Sequence, residues 1–160
     1  MDQSPAQIVV GIVDDQPAEV LTTAADYARR FDAELILAHV DDSKYTVEAR
    51  PDGTVASLPL DPDLIAEAAP DIEAAVLDRV TDILESQGAK WSTQDLAGAP
   101  SQELSRLAEA VDAVMVIVGV RKAGIKGSLH EFFNGSAAIQ LAHRQHWPLV
   151  VVPLAEAGVE

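Results

Sequence analysis

Residues 113–119 read A-V-M-V-I-V-G, and residues 120–136 continue as V-R-K-A-G-I-K-G-S-L-H-E-F-F-N-G-S. An apolar run rich in β-branched residues is typical of a strand buried on both faces of a parallel sheet. The Ala-rich segment after Ser136 is typical of a helix, so the stretch predicts a strand, a glycine-rich loop and a helix start, in that order. Backbone N–H groups at a helix start lack partners and carry partial positive charge, so this order predicts an anion site.

The composition of the loop supports the same interpretation. Arg121, Lys122 and Lys126 are three of only 11 basic residues in a chain of net charge −15, and no acidic residue lies between Asp112 and Glu131. Glycines let the backbone approach phosphate oxygens closely, and the loop has four: Gly119, Gly124, Gly127 and Gly135. The spacing matches neither the P-loop nor the dinucleotide fingerprint. A flexible connector with solvated charges is the alternative.

Length and composition predict one domain over residues 1–160. The chain is 48% hydrophobic but only 4% aromatic, which predicts a core of Val, Ile, Leu and Ala. Its negative charge disfavours binding to nucleic acid or anionic membranes, and the absence of cysteine excludes disulfides and thiolate zinc sites. No signal peptide and no apolar stretch of about 18 residues is visible. We therefore expect a cytoplasmic protein.

Strands and helices alternate along the sequence. Apolar runs predict strands at residues 7–13, 34–40, 90–96, 113–118 and 148–152. Helices are predicted between them: from Pro17, from near Asp63 to Ser86 with a break at Pro70, from Pro100, and over residues 136–144. The first helix buries one face: Val20, Leu21, Ala24, Ala25, Ala28 and Phe31.

This alternation predicts an α/β fold, a five-stranded parallel sheet with helices on both faces. Its core spans about residues 7–153, and residues 41–62 are interpreted as a long irregular loop. Ligands of such sheets bind beyond the carboxyl ends of the strands, where the strand order changes direction. The ends of the first and fourth strands are therefore the predicted site.

Other sequence patterns give weaker indications of a metal site or a catalytic site. His130, His143 and His146 are interpreted as packed or solvated rather than as metal ligands, and no metal site is assigned. The pairs Asp14-Asp15 and Asp41-Asp42 follow neighbouring strands, where they either recruit Mg²⁺ or only begin helices and turns. Ser128 and His130 lack a nucleophile elbow. No enzyme is predicted beyond slow ATP hydrolysis.

Six short motifs fall in a fixed order: I-V-V-G-I-V-D-D at residues 8–15, A-H-V at 38–40, G-A-P at 98–100, V-I-V-G at 116–119, G-S at 135–136 and P-L-V-V-V-P at 148–153. Over nearly its whole length the chain resembles the universal stress protein family. The resemblance implies a parallel sheet of order 3-2-1-4-5, of the adenine-nucleotide alpha-hydrolase-like type. Some family members bind ATP through a loop written G-x-x-G, nine residues, then G-[ST], whereas others bind no nucleotide tightly.

The family loop can be carried onto this sequence position by position. Gly119 matches the first glycine and Gly135-Ser136 the final pair, but Lys122 replaces the second glycine and the loop is three residues longer. Gly124 or Gly127 then takes over the close approach to phosphate. The resemblance also implies an acidic residue at Asp14 (or the position of Val13) and an adenine pocket lined by Val40. The full candidate set is Val13, Asp14, Val40, Val118, Gly119, Arg121, Lys122, Gly124, Gly127, Gly135, Ser136 and Ala137.

Two functional interpretations follow. In the first, the protein binds ATP, with or without Mg²⁺, or another adenine nucleotide, and signals through an unidentified protein partner. In the second, it is a nucleotide-independent interaction protein whose altered loop is structural. The apolar edge strand from Leu149 to Val152 predicts a homodimer in either case, because an exposed edge of this kind invites pairing.

Overall fold

A computed structural model describes residues 4–12, 18–41, 44–49, 51, 55–59, 74–121, 141–143 and 147–154. The strands and helices in these ranges are β1 (Ala6–Ile12), α1 (Ala18–Phe31), β2 (Ala33–Asp41), β3 (Lys44–Ala49), β4 (Val55–Pro59), α2 (Ala74–Ser86), β5 (Trp91–Ala97), α3 (Pro100–Ala110), β6 (Met115–Arg121) and β7 (Leu149–Leu154). Residues 141–143 are also helical. No helix among the described residues is long and apolar enough to cross a membrane.

The main sheet has five parallel strands in the order β5-β2-β1-β6-β7. Counted along the chain, these are the third, second, first, fourth and fifth strands of the sheet, so the predicted order 3-2-1-4-5 is confirmed. The order runs one way from β1 to β5 and the other way from β1 through β6 to β7. The switch point therefore lies between β1 and β6.

The region after β2 differs from the sequence prediction. Residues 41–62 were predicted to be an irregular loop, but β3 and β4 form an antiparallel pair within it, from Lys44↔Pro59 to Ala49↔Val55. The prediction of irregular structure is wrong there because Pro51 and Gly53 were interpreted as loop signals, whereas they separate two short strands. Both strands of the hairpin lie near β5, one edge of the main sheet.

Side chains alternate between two cores, one on each face of the sheet. On one face the sheet packs against the apolar sides of α1 and α2, and the buried helical residues are Val20, Leu21, Ala24, Ala25, Ala28, Val76, Val80 and Leu84. On the other face it packs against Leu104, Leu107 and Ala108 of α3 and against Leu141. The prediction of helices on both faces is confirmed.

Phe31 is an exception to the predicted apolar face of α1. It is 52% exposed, and its ring stacks on Tyr27 with a centroid distance of 6.2 Å. Phe31 is the last residue of the helix, and β2 begins two residues later. The side chain therefore lies at the rim of the core, where helical periodicity no longer decides burial.

Two helices end in the same hydrogen-bonded turn. After α2, the N–H groups of Gly88 and Ala89 donate to the carbonyls of Glu85 and Leu84 at 3.1 and 3.2 Å. After α3, Asp112 and Ala113 make the equivalent bonds at 3.2 and 2.9 Å. This is the Schellman arrangement, which needs a left-handed residue, and φ is +72° at Gly88 and +52° at Asp112. The predicted end of α2 at Ser86 is confirmed, whereas its predicted start and its break at Pro70 lie outside the described residues.

Candidate functional site

The carboxyl ends of the five parallel strands meet at one edge of the sheet. β1 ends at Ile12, β2 at Asp41, β5 at Ala97, β6 at Arg121 and β7 at Leu154. β1, β2, β6 and β7 owe this position to continuous apolar runs, which fix them between the two cores. Any ligand at this edge meets strand ends rather than helix sides.

β1 and β6 stop pairing with each other before either strand ends. Their parallel pairing runs from Ile8↔Met115 to Val10↔Ile117. Beyond it, β1 continues to Ile12 while pairing with β2, and β6 continues to Arg121 while pairing with β7. Within the described ranges, the sheet is thus unpaired at the carboxyl end of its switch point. In open α/β sheets this is the crevice where ligands bind.

The predicted phosphate loop begins later in the chain than the sequence indicated. Gly119 and Arg121 were predicted to lie in that loop, but both belong to β6, where they pair with Val152 and Leu154 of β7. The β-ladder with β7 extends the strand past the glycine that was interpreted as its end. The loop itself therefore begins no earlier than Lys122. Val118 is fully buried in the core on the α3 side.

Val40 is oriented by the alternation of β2. Its side chain is only 4% exposed and packs in the core on the α3 side. At odd-numbered residues of β2, the backbone N–H and C=O groups point toward β5. Leu35 N–H donates to Lys90 O at 2.9 Å, and Asp41 O accepts from Gly98 N–H at 3.0 Å. The backbone N–H and C=O of Val40 therefore point to the opposite side, toward β1. The register of β1 with β2 reaches Ile12↔His39, one residue short of Val40.

The remaining predicted residues lie outside the part of the chain that the structure describes. They are Val13, Asp14, Lys122, Gly124, Gly127, Gly135, Ser136 and Ala137. The same is true of Asp15, Asp42, His130 and His146, whereas His143 is exposed on the short helical segment 141–143. Within the described ranges, no three His, Asp or Glu side chains are grouped so as to hold a metal ion.

Sequence reasoning missed one polar pair at this edge. His39 of β2 lies opposite Asp95 of β5, and its Nδ1 is 3.8 Å from Asp95 Oδ1. The imidazole side chain is 12% exposed and the carboxylate 35% exposed. A histidine directly after the apolar run of residues 35–38 was the available signal, but it was interpreted only as part of the A-H-V motif.

The turn after β5 brings α3 to the same edge. Gly98 has φ +124°, a conformation that L side chains rarely adopt, and it turns the chain so that α3 begins at Pro100. Proline suits this place because its missing N–H would have no helical partner. Ala99 provides no side-chain cap. The conformation of this turn therefore explains why glycine and proline occupy the first and last positions of the G-A-P motif.

Comparison with known proteins adds to this geometry. A sequence profile of the Universal stress protein family matches residues 6–153. A universal stress protein from Methanocaldococcus jannaschii is 28% identical over 138 residues, which cover 86% of this chain and 75% of that protein.

Solved structures share the fold. A universal stress protein in complex with cAMP superposes with a TM-score of 0.60 at 20% identity, covering 96% of this chain and all of the other. The universal stress protein from Archaeoglobus fulgidus in complex with dAMP gives a TM-score of 0.59 at 18% identity, covering 92% and 97%. With a family match that spans almost the whole described sheet, the chain belongs to the universal stress protein family.

Proposed function

We propose that this protein binds an adenine nucleotide at the carboxyl edge of the sheet, between β1 and β6, and that the bound state changes its interaction with a protein partner. The observation that carries the proposal is the end of β1–β6 pairing at Val10↔Ile117, because it leaves the switch point open where such sheets bind ligands. Family members of the same fold, solved with cAMP and with dAMP, support an adenine nucleotide as the ligand.

The base would meet main chain rather than side chains. Val40 directs its C=O toward β1 beyond the last register pair, Ile12↔His39, while its side chain is buried on the α3 side. A fixed carbonyl oxygen can accept a hydrogen bond from the amino group of adenine, and fixed polar groups of this kind orient ligands in apolar pockets. Asp14 would accept a hydrogen bond from the ribose. Val13 and Val118 would complete the apolar surroundings.

The phosphates would meet the segment from β6 to the next helix. Arg121 is the last residue of β6, and Lys122 follows it in the sequence. Gly124 or Gly127 would allow close backbone approach, and Gly135, Ser136 and Ala137 would supply N–H groups at a predicted helix start. Each charge-assisted contact contributes about 1.5–3 kcal/mol. ATP, with or without Mg²⁺, would use more of these groups than AMP.

Isothermal titration calorimetry with ATP, AMP and adenosine, each with and without Mg²⁺, tests the proposal. Gly135→Val should abolish binding and leave the fold intact, because a branched side chain would occupy the phosphate position. Arg121→Ala/Lys122→Ala should weaken ATP by about tenfold or more while sparing adenosine.

A matched control removes the same charge elsewhere. Arg79 on α2 and Lys90 before β5 are both exposed, so Arg79→Ala/Lys90→Ala should bind ATP as the wild type does. No heat of binding to the wild type at millimolar ligand would reject the proposal. Equal loss in both double variants would mean that only net charge matters.

The alternative, a nucleotide-independent interaction protein, is favoured by two features. Lys122 stands where the family loop has glycine, and Gly119 is held in the ladder with β7. Mass spectrometry of small molecules released from purified, denatured protein separates the two functions, because only the nucleotide-binding one predicts a co-purified adenine nucleotide.

We also propose that the protein is a homodimer joined through β7. This strand is one edge of the sheet, and Val151 on it is 44% exposed. The opposite edge strand, β5, has the β3–β4 hairpin near it and exposes Ser92 and Thr93. Antiparallel pairing of β7 with its copy would satisfy the free backbone groups and cover Val151.

A further inference from the structure

An aromatic pair lies at the C-terminal end of α1. Tyr27 and Phe31 stack with their ring centroids 6.2 Å apart and an angle of 19° between the ring planes, and Phe31 is 52% exposed in the single chain. An apolar ring left in water forgoes part of the stabilisation that burial gives. A segment that covers the pair would therefore bind there through the hydrophobic effect.

The pair faces β7 rather than α2. Arg29 donates to the backbone oxygen and the side-chain oxygen of Gln87, just after α2, at 3.2 and 2.8 Å. Tyr27 and Phe31 are each two positions from Arg29, which is roughly half way around the helix. α1 also contacts β7, and Tyr27 packs against the core cluster that Val150 joins. The aromatic pair therefore lies on the flank of α1 that is turned toward β7.

The strand registers separate this pair from the end of β7 in the same chain. Leu154 is the last residue of β7 and lies level with the end of β6, six residues beyond Met115. Met115 pairs with Ile8, and β1 and β2 begin two residues earlier, close to where α1 ends. Eight residues at about 3.3 Å each give about 26 Å along the strands. Residues 155–160 reach at most about 22 Å, so they cannot cover Phe31 of their own chain.

The proposed dimer brings a second copy of this segment to the pair. Val116 N–H donates to Pro148 O at 3.0 Å, so the even-numbered residues of β7 turn their backbone groups to β6. The odd-numbered residues, with Val151 in the middle, turn theirs outward. Antiparallel pairing about Val151 places Leu154 of the partner subunit level with Pro148. The partner's residues 155–160 then continue past the start of β7, toward the end of α1.

Charge favours the same placement. The chain has a net charge of −15, so most of its surfaces repel a second copy, whereas Leu149–Leu154 has no charged residue. Residues 155–160 read A-E-A-G-V-E and carry two carboxylates. Next to Phe31, the side chain of Arg30 is 70% exposed; its Nε bonds Asp26 at 3.0 Å, and the guanidinium has further donors. An acidic segment with alternating apolar residues therefore suits the end of α1.

We propose that residues 155–160 of each chain dock on Tyr27 and Phe31 of the partner subunit. The proposal rests on the proposed dimer through β7 and extends its interface from the paired strands to α1. The two-fold axis makes the docking reciprocal, so each dimer has two such sites. Each site buries apolar surface that the single chain leaves in water.

The dissociation constant of the dimer, measured by light scattering over a dilution series, tests the docking. Phe31→Ser and deletion of residues 155–160 should each raise it by about tenfold or more, because burial of half a phenylalanine contributes on this order and the change falls in both sites. The two changes together should raise it no further than the stronger one alone, since both remove the same contact. Leu77→Ser is the matched control. Leu77 is 37% exposed but lies on α2 rather than α1, so the constant should not change.

The outcomes keep the docking and the dimer distinct. An unchanged constant in Phe31→Ser or in the deletion, or fully additive effects, would overturn the docking and leave the β7 dimer standing. A monomeric wild type would reject both together. The monomeric Val151→Lys protein separates docking between chains from docking within one. There, deletion of residues 155–160 should leave the Tm unchanged; a lower Tm would mean that the segment packs on its own chain and would overturn the inference.

Discussion

Replacing Gly88 with alanine isolates the cost of a left-handed helix end. The residue has φ +72°, and a Cβ built there meets no atom within 4 Å. A steric clash is therefore absent, and the penalty is that of the left-handed conformation itself, about 1–2 kcal/mol for an L residue. Alanine also restricts the unfolded chain, which returns about 0.4–1 kcal/mol. We expect a net loss of about 1 kcal/mol.

Urea unfolding followed by far-ultraviolet circular dichroism measures this loss. With a slope of about 2 kcal/mol per molar urea, the midpoint should fall by roughly 0.5 M at constant slope. Gly88→Asn should lose less, because asparagine tolerates this conformation better. Asp112→Gly is the reciprocal change in the equivalent turn after α3, where φ is +52°, and it should raise the midpoint. An unchanged midpoint in Gly88→Ala, or a lower one in Asp112→Gly, would refute the reasoning.

Two further predictions concern the surface. Val151→Lys should convert the proposed dimer to a monomer in light scattering without lowering Tm, since Val151 is already 44% exposed in the single chain; a monomeric wild type would reject the dimer. The hydrogen bond from Arg30, aided by Arg29, lowers the pKa of Asp26, so its stabilisation is present above the unfolded pKa and fades as pH falls through the lower folded value. Between pH 6 and about pH 3 at low salt, the Tm of Asp26→Asn should therefore drop less than that of the wild type. The difference should be small because the carboxylate is exposed. Identical changes of Tm with pH in the two proteins would contradict this.

Some features of the candidate site can be recognised from the sequence, whereas others appear only in the tertiary structure. Glycines, cations and a helix start are consecutive in the chain, so the segment from Gly119 to Ser136 can be recognised as a phosphate-binding candidate without coordinates. The proximity of His39 and Asp95 could not be found this way, since the two residues lie far apart in the chain and become neighbours only through the β2–β5 register.

The sequence by itself determined the fold class and most of the core, because apolar runs and helical stripes record burial locally, whereas the strand order was implied by the family resemblance. It did not determine how far each strand stays paired. The extension of β6 to Arg121, the separation of β1 from β6 beyond Val10↔Ile117 and the pairing of β3 with β4 depend on backbone hydrogen bonds between distant segments. Such bonds use groups that every residue carries, so only the tertiary structure decides where they end.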